Sequence, residues 1–243
     1  MCGEMAERSK AAVLKSVIPV RVSWVRIPLS PISLREIALC SLLLRSKSFE
    51  EQVSEVGQNQ EVTMKITTTH LTKQQFQDHI KHNTVFYDYY EISASLIFVC
   101  ATKLGICEAI LCDKNNKKIE REILQKYPKK QPFEPGQLAE LVSCPVIAAV
   151  LIGTDFQVAT WQAATKISAG TTISYHELAQ ILDNNKAHRA VANALAQNRL
   201  AYFIPCHRII RKDGSMGGYK WGVEKKLALL DEEKNYTQKR NLL

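Results

Sequence analysis

The sequence predicts an α+β protein in which a small N-terminal α/β domain, a β-hairpin plus a helix, precedes a mostly helical, winged-helix-like domain with a helix-turn-helix. Two apolar, β-prone runs at residues 93–101 and 106–112 flank a short turn, which predicts the hairpin. Apolar residues at helical spacing in 118–127 predict a short amphipathic helix that ends before Pro128. Helical patterns separated by polar turns fill much of the chain after residue 153.

The chain divides into three segments of different pattern. Residues 1–63 show no sustained hydrophobic period, so we interpret them as a misannotated extension and expect Met64 to begin the working protein. A genuine disordered extension or an anchor is the alternative, and the intact mass of the native protein distinguishes them. Residues 64–152 are expected to form the α/β domain, with a helix at 137–143 and a strand at 146–152. Residues 153–243 are expected to form the second domain.

Composition and charge limit which partners and cellular settings fit this protein. The net charge is +8, and 13 basic against 8 acidic residues place most of the surplus in 150–243, which suits a polyanionic partner without proving one. The longest early apolar run, 37–44, is too short to cross a bilayer, so no membrane partner is expected. Seven cysteines form no paired framework, which favours free thiols in a reducing, cytoplasmic setting and predicts no metal site.

The last third contains a helix-turn-helix candidate. Thr154 is a plausible N-cap for a helix to about Lys166, Ser174 caps 175–182, and a further helix covers 187–197. This last helix carries small residues on much of its surface, which permits close approach to a groove floor and suggests minor-groove binding with base displacement. An ordinary helical hairpin is the alternative.

Cys206 and His207 stand side by side after the apolar run 200–206, which we interpret as a strand leading into the cysteine. The thiolate is the nucleophile, and a free thiol with a pKa of ~8.5 needs a neighbouring base at neutral pH. The alternative is a small buried hydrophobe. A glycine-rich, aromatic loop at 214–221 suits a pocket wall, and 223–233 is expected to be a closing helix with Leu227 and Leu230 facing inward.

The residues around Cys206 resemble a known family. The run Pro205-Cys206-His207-Arg208, preceded by Arg189-Ala190-Val191 and Asn198, resembles the signature of the O6-alkylguanine-DNA alkyltransferases, in particular their bacterial branch. The resemblance extends from about residue 93 to 233 and is strongest from residue 153 onward. It implies that 153–243 form a C-terminal DNA-binding catalytic domain.

The resemblance also implies a role for each matched residue at the reacting sulfur. Cys206 would accept the alkyl group, and His207 would take its proton through a water molecule. Glu233 would orient the imidazole, as in other Cys-His-acid arrangements. Asn198 would brace the turn, and Tyr175 would donate a proton to the departing guanine.

Binding residues follow from the same resemblance. Arg189 would fill the gap left by the flipped nucleotide, and the DNA-contacting set is Arg189, Ala190, Ser174 and Arg208. The pocket for the base is expected to be lined by Leu195, Ile209, Gly217, Tyr219 and Lys220.

The expected activity is DNA repair in which one protein molecule removes one alkyl group from O6 of guanine, and from O4 of thymine, in duplex DNA. The partner is double-stranded DNA with alkylated bases, the protein is expected to be a monomer, and no cofactor or metal is expected. A non-catalytic binder of alkylated DNA and a Cys-His hydrolase are the alternatives. Arg199 stands where the family usually has proline after the bracing asparagine, which predicts a less rigid turn.

Overall fold

The fold is built on a seven-stranded mixed sheet with helices on both faces. The structure is a computed structural model, and it describes residues 21–24, 65–92, 95–113, 117–144 and 146–240. The predicted extension 1–63 therefore lies outside the described residues, apart from one strand. The strands of the large sheet are β1 (Arg21–Trp24), β2 (Lys65–Leu71), β3 (Val85–Ile92), β4 (Ser95–Thr102), β5 (Gly105–Cys112), β6 (Lys130–Pro132) and β7 (Val146–Ile152). The helices are α1 (Lys73–His82), α2 (Lys117–Leu124), α3 (Gln137–Ser143), α4 (Asp155–Ala164), α5 (Tyr175–Ile181), α6 (His188–Ala196) and α7 (Val223–Arg240).

The predicted hairpin forms the middle of the sheet. The strand order is β1-β2-β7-β5-β4-β3-β6, with β4 antiparallel to both β5 and β3, and β7 parallel to both β2 and β5. Gly105 starts β5 with a φ of 121°, and a Cβ there would lie 2.3 Å from the carbonyl oxygen of Ala148 on β7. Only glycine allows this close approach between the hairpin and its neighbour.

Three elements in 65–92 went unpredicted. Helix α1 begins with a capping box in which Thr72 and Gln75 satisfy each other's backbone N–H groups, and it buries Phe76 and Ile80. Strand β3 is flanked by β4 and β6, yet most of its residues are half-buried. Because its side chains do not alternate between buried and exposed, the period-two signal of a strand is missing.

The helices after residue 153 form as predicted. Thr154 and Ser174 cap α4 and α5 through capping boxes, and α6 follows α5 after a short turn. Trp161 of α4 donates from its indole nitrogen to the carbonyl oxygen of Ala194 on α6 at 2.8 Å. This buried hydrogen bond ties α4 to the second helix of the α5–α6 pair.

The hydrophobic core has two parts, one on each face of the sheet. Phe76, Ile80, Ile123, Leu124 and Tyr127 belong to the part that α1 and α2 cover. The other part joins sheet residues to side chains of α3 to α7, which include Leu138, Trp161, Leu178, Val191, Leu195 and Leu229. The helices that surround Cys206 thus share a continuous apolar core with the N-terminal sheet.

The sequence predicted a strand at 200–206, and this prediction is wrong. Leu200 makes an isolated bridge to Ala109 on β5, after which the chain turns tightly with Tyr202 at a φ of 72° and enters a 3₁₀-helix, Cys206–Arg208. The run is apolar because the core encloses this turn, with Phe203 only 1% exposed. A short buried run looks the same in sequence whether it is a strand or a turn.

The closing helix is longer than expected and turned differently. It runs over Val223–Arg240, and Leu227, which was expected to face inward, is 41% exposed. Leu229 and Lys226 are buried in its place. The expectation assumed that leucines mark the inner face, but here a lysine shares that face.

The sequence predicted that the cysteines are free thiols, and for one of them this prediction is wrong. Cys100, Cys107, Cys112 and Cys206 are free, whereas Cys144 is disulfide-bonded. Disulfide pairing depends on which cysteines the fold brings together, and an odd count does not reveal this.

No described helix combines the length and apolarity that crossing a bilayer requires.

Candidate active site

A cavity of about 540 Å³ opens between α5, α6 and the loop that precedes α7. Its volume is in the range of small-molecule sites. Its lining contains Tyr175, His188, Arg189, Ala192, Asn193, Leu195, Ala196, Cys206, Arg211, Gly217, Gly218, Tyr219, Lys220 and Trp221. The cavity therefore joins the thiol, aromatic side chains and cationic side chains.

A two-stranded parallel sheet brings Tyr175 and Cys206 to the same cavity. Its strands are β8 (Ile173–Ser174) and β9 (Ile209–Ile210), with Ile173 paired to Ile209. Strand β8 leads directly into α5, whose first residue is Tyr175, and β9 follows the 3₁₀-helix that begins at Cys206. This pairing is between residues 36 apart in the chain, so local sequence patterns do not predict it.

The Cys206 thiol is buried, with 6% of the residue exposed. Asn198 donates from Nδ2 to its Sγ at 3.2 Å, and the Tyr219 hydroxyl oxygen lies 3.9 Å from the sulfur. Burial raises the pKa of Cys206, although the contacts with Asn198 and Tyr219 and the charge of Lys226 lower it in part. At neutral pH the thiol is protonated, so its use as a nucleophile requires a base.

Asn198 makes hydrogen bonds at both ends of the turn that it was expected to brace. Its side chain is fully buried; Oδ1 accepts from the backbone N–H of Leu200 at 2.8 Å, and Nδ2 donates to the carbonyl oxygen of Ile204 as well as to the thiol. Its own carbonyl oxygen accepts from Lys220 Nζ at 2.8 Å. One amide thus connects both ends of the turn 198–204 to the sulfur.

His207 and Glu233 form a buried pair next to the cysteine. Nε2 of His207 lies 2.9 Å from Oε1 of Glu233, and burial lowers the pKa of His207 more than Glu233 raises it. Burial would raise the pKa of Glu233, but hydrogen bonds from His207 and Arg208 lower it to about 2. An ionised carboxylate only accepts hydrogen bonds, so Nε2 carries the imidazole proton and Nδ1 has a free lone pair.

Nδ1 of His207 is buried and has no hydrogen-bond partner among the described residues. A buried polar atom usually has a partner, and atoms that lack one are often found where chemistry occurs. The neutral imidazole therefore offers a base directly beside Cys206 in the chain.

Arg208, expected to contact DNA, is buried instead, with 1% exposed. Its Nε donates to both carboxylate oxygens of Glu233 at 3.0 Å, and Nη1 donates to the carbonyl oxygen of Ile167. The guanidinium is therefore not available to a nucleic acid in this structure. Its hydrogen bonds and its positive charge favour the ionised form of Glu233.

The two tyrosines of the cavity keep their protons. Burial raises the pKa of Tyr175, and Cys206 adds to the shift. Burial and Cys206 also raise the pKa of Tyr219 well above its ordinary value. Both hydroxyls can therefore donate a proton or a hydrogen bond at neutral pH.

Lys226 is a site residue that the sequence analysis missed. Its side chain is fully buried, and Nζ donates to the carbonyl oxygens of Ile209 at 2.6 Å and Met216 at 2.7 Å. Burial lowers its pKa to about 8 despite the opposing effect of Cys206. Helical spacing, which puts Lys226 on the face of Leu229 and Glu233, was the available signal.

Only some of the remaining predicted binding residues lie at the cavity. Arg189 lines the cavity from the exposed start of α6, and Leu195, Gly217, Tyr219 and Lys220 also line it. Ala190 is exposed and lines a neighbouring shallow cavity beside α4.

Two predicted binding residues have other partners. The Ser174 hydroxyl accepts from the N–H of Glu177 at 3.1 Å as the cap of α5, which leaves it buried. Ile209 does not line the cavity; its N–H donates to the backbone carbonyl oxygen of Cys206, and its own carbonyl oxygen accepts from Lys226 Nζ. The backbone groups at a helix start and at a 3₁₀-helix end require hydrogen-bond partners, which accounts for both cases.

Among the described residues, no group of three or more His, Cys, Asp and Glu could hold a metal ion.

The part of the chain that holds this site is similar to known proteins. Residues 155–235 match the model of a family described as 6-O-methylguanine DNA methyltransferase, DNA binding domain. The bifunctional transcriptional activator/DNA repair enzyme Ada of Escherichia coli is 34% identical over 178 residues, which cover 68% of this chain and 50% of that protein. The methylated-DNA–protein-cysteine methyltransferase of Kluyveromyces lactis is 51% identical over 83 residues, which cover 34% of this chain and 44% of that protein.

The chain spans about half the length of the curated relatives it matches. Among solved structures, the O6-methylguanine methyltransferase of Mycobacterium tuberculosis superposes with a TM-score of 0.51 at 24% identity, covering 62% of this chain and 93% of that one. That likeness concerns the fold alone, and it agrees with the α+β class.

Proposed function

We propose that the protein repairs DNA by moving an alkyl group from a base to Cys206, because residues 155–235 match the model of a family described as 6-O-methylguanine DNA methyltransferase, DNA binding domain. The substrate is O6-alkylguanine, and also O4-alkylthymine, in duplex DNA. The thioether that forms has no route back to a thiol, so each molecule acts once.

The observation that carries this proposal is the buried Cys206-His207-Glu233 arrangement at the cavity. A protonated thiol with a raised pKa lies beside a neutral imidazole whose Nδ1 lacks a partner among the described residues. Glu233 holds the other imidazole nitrogen, which is the orienting role that an acid has in nucleophile–histidine–acid triads.

The reaction balances with the groups present. His207 Nδ1 takes the thiol proton through a bridging water molecule, the sulfur attacks the alkyl carbon, and the carbon–O6 bond breaks as the carbon–sulfur bond forms. The electron pair of the broken bond moves into the guanine ring. Tyr175 then gives its proton to a ring nitrogen, and the histidine proton later returns to the tyrosinate through solvent.

Each charge that forms during the reaction has an oppositely charged or hydrogen-bonding group beside it. The imidazolium formed at His207 is stabilised by Glu233, which stays ionised because its pKa is about 2. Asn198 donates to the sulfur at 3.2 Å and stabilises the thiolate as it forms. Lys226 adds a positive charge nearby.

DNA binding is assigned to α5 and α6 as a helix-turn-helix. Arg189 stands exposed where α6 meets the cavity, so it can fill the base stack when the nucleotide turns outward. The small residues of α6 permit close approach to the minor groove. Flipping costs a few kcal/mol, and least for a damaged base, which contributes to selectivity.

We extend the proposal to the domain organisation. Residues 64–152 form the N-terminal α/β domain, and 153–243 form a winged-helix-like catalytic domain. The two-stranded sheet of β8 and β9, beside α5, is its small β-element.

The test is a reaction with duplex DNA that contains O6-methylguanine, followed by mass spectrometry of the Cys206 peptide. The expected result is one methyl group on that peptide and at most one base repaired per protein molecule, with Cys206→Ser as the inactive control.

Two other results would overturn the proposal. Tight binding of the methylated duplex with Cys206 unmodified would identify a non-catalytic binder of alkylated DNA. Labelling of Cys206 by an electrophilic peptide probe, without methyl transfer, would identify a hydrolase.

A further inference from the structure

The strand β5 of the N-terminal sheet contacts the turn that holds the reactive sulfur. Ala109 on β5 accepts from the N–H of Ala201 at 2.9 Å, and its own N–H donates to the carbonyl oxygen of Arg199 at 2.7 Å. The turn is therefore attached to the sheet as a short additional strand pairing.

A buried charge pair lies at the same place. Glu108, next to Ala109, has 3% of its side chain exposed and accepts from Nη2 of Arg199. Lys126 Nζ lies 3.6 Å from the same carboxylate oxygen, and the guanidinium of Arg199 lies 5.6 Å from the ring centre of Phe76 on α1. A carboxylate this buried is tolerated only when it is paired, so Glu108 and Arg199 hold each other in place.

Arg199 is the residue after Asn198, whose amide donates to Cys206 Sγ and to the carbonyl oxygen of Ile204. A continuous set of contacts thus leads from β5 through Arg199 and Asn198 to the sulfur. Arg199 was expected to leave this turn less rigid, but its side chain instead ties the turn to the sheet.

We infer that Glu108 and Arg199 are positioning residues for the alkyl transfer, because their ion pair fixes the turn from which Asn198 reaches the Cys206 sulfur. The inference rests on the proposed function and gives the N-terminal domain a role in the reaction. Geometry at a reacting centre is demanding, since a displacement of about 1 Å can cost on the order of a hundredfold in rate.

The test variant is Glu108→Gln, which removes the charge and keeps the shape. Its single-turnover methyl transfer is expected to be about ten- to a hundredfold slower than that of the wild type. Duplex affinity is expected to be nearly unchanged, because the Glu108 side chain is buried and does not line the cavity. The matched control is Asp113→Asn. Asp113 lies just after β5 and pairs with Lys225 of α7 at 2.8 Å, but it has no part in the contacts to Asn198.

A readout without DNA separates positioning from mere stability. The pH dependence of iodoacetamide modification at Cys206 reports the pKa of the thiol, which the Asn198 hydrogen bond lowers. In Glu108→Gln this pKa is expected to rise by about one unit, as expected for a weakened hydrogen bond to a thiolate. In Asp113→Asn it should stay where it is.

Arg199→Lys provides a second variant if Glu108→Gln does not fold. It keeps the charge but loses the planar fork, so an intermediate rate and thiol pKa are expected. A folded Glu108→Gln or Arg199→Lys protein with wild-type thiol pKa and transfer rate would overturn the inference. If the wild type itself transfers no methyl group, the proposed function fails, while the thiol titration still tests the positioning role.

Discussion

At the residue scale, the site depends on charged groups that are buried in pairs. Glu233 accepts hydrogen bonds from His207, Arg208 and the backbone N–H of Gly170. The same carboxylate therefore holds the His207 imidazole and neutralises a buried arginine. The motif in the sequence shows neither the pairing of Arg208 nor the burial of Lys226.

Glu233 makes the stability of the protein depend on acid pH. Its pKa is about 2 in the folded protein against an ordinary value of 4.5. A lowered pKa means that the unfolded chain binds the proton more tightly. The stabilisation is complete above about pH 4.5 and is lost as the pH falls toward 2; it amounts to about 3 kcal/mol.

The measurement is urea unfolding of the wild type and Glu233→Gln across this pH range. The variant is expected to be less stable at neutral pH, and the gap in free energy of unfolding should shrink as the pH falls. Glu224→Gln, a change of an exposed carboxylate on the same helix, is the control and should show no such shrinking gap. A gap for Glu233→Gln that is independent of pH would contradict the prediction.

At the scale of elements, the caps show how local sequence prepares the site. Ser174 starts α5 and pairs through β8 with β9, so the cap also sets where Tyr175 points. The sequence predicted this cap and that of α4, because capping residues act within three positions of each other in the chain. The turn at 200–206 was mispredicted, because its hydrogen bonds and burial come from the surrounding core.

Ser174→Ala removes the α5 cap and should lower the free energy of unfolding by about 1 kcal/mol. It should also slow methyl transfer, because Tyr175 is the first residue of the frayed turn. Thr72→Ala is the matched control, since it removes an equivalent capping box from α1, away from the cavity. Chemical unfolding and single-turnover kinetics are measured on both. Equal effects on the rate would mean that the α5 cap has only a general stabilising role.

At the scale of the whole molecule, the basic surplus of residues 150–243 and the exposed position of Arg189 bear on the proposed association with DNA. Phosphate contacts release counterions, so duplex binding should weaken steeply as salt rises from about 50 to about 200 mM. Arg189→Ala is expected to weaken binding by about tenfold or more at every salt concentration, because it contributes both charge and a side chain for the base stack.

Fluorescence anisotropy with a labelled duplex measures this binding. Lys103→Ala changes an exposed lysine in the turn between β4 and β5 and should leave the affinity unchanged. If the two variants behave alike, binding depends on net charge alone and α6 is not the DNA-contacting helix.

The sequence by itself determined the adjacent pair Cys206 and His207 as the candidate site, the caps and helices α4 to α6, the β4–β5 hairpin and the α+β class. These features depend on short motifs and local periodicity, which are readable without a fold. Only the tertiary structure decided that Arg208 pairs with Glu233 rather than facing DNA, and that Lys226 is buried beside the thiol. It alone brings Glu108 to Arg199. The partners in these contacts lie 17 to 91 residues apart in the chain, and only packing selects them.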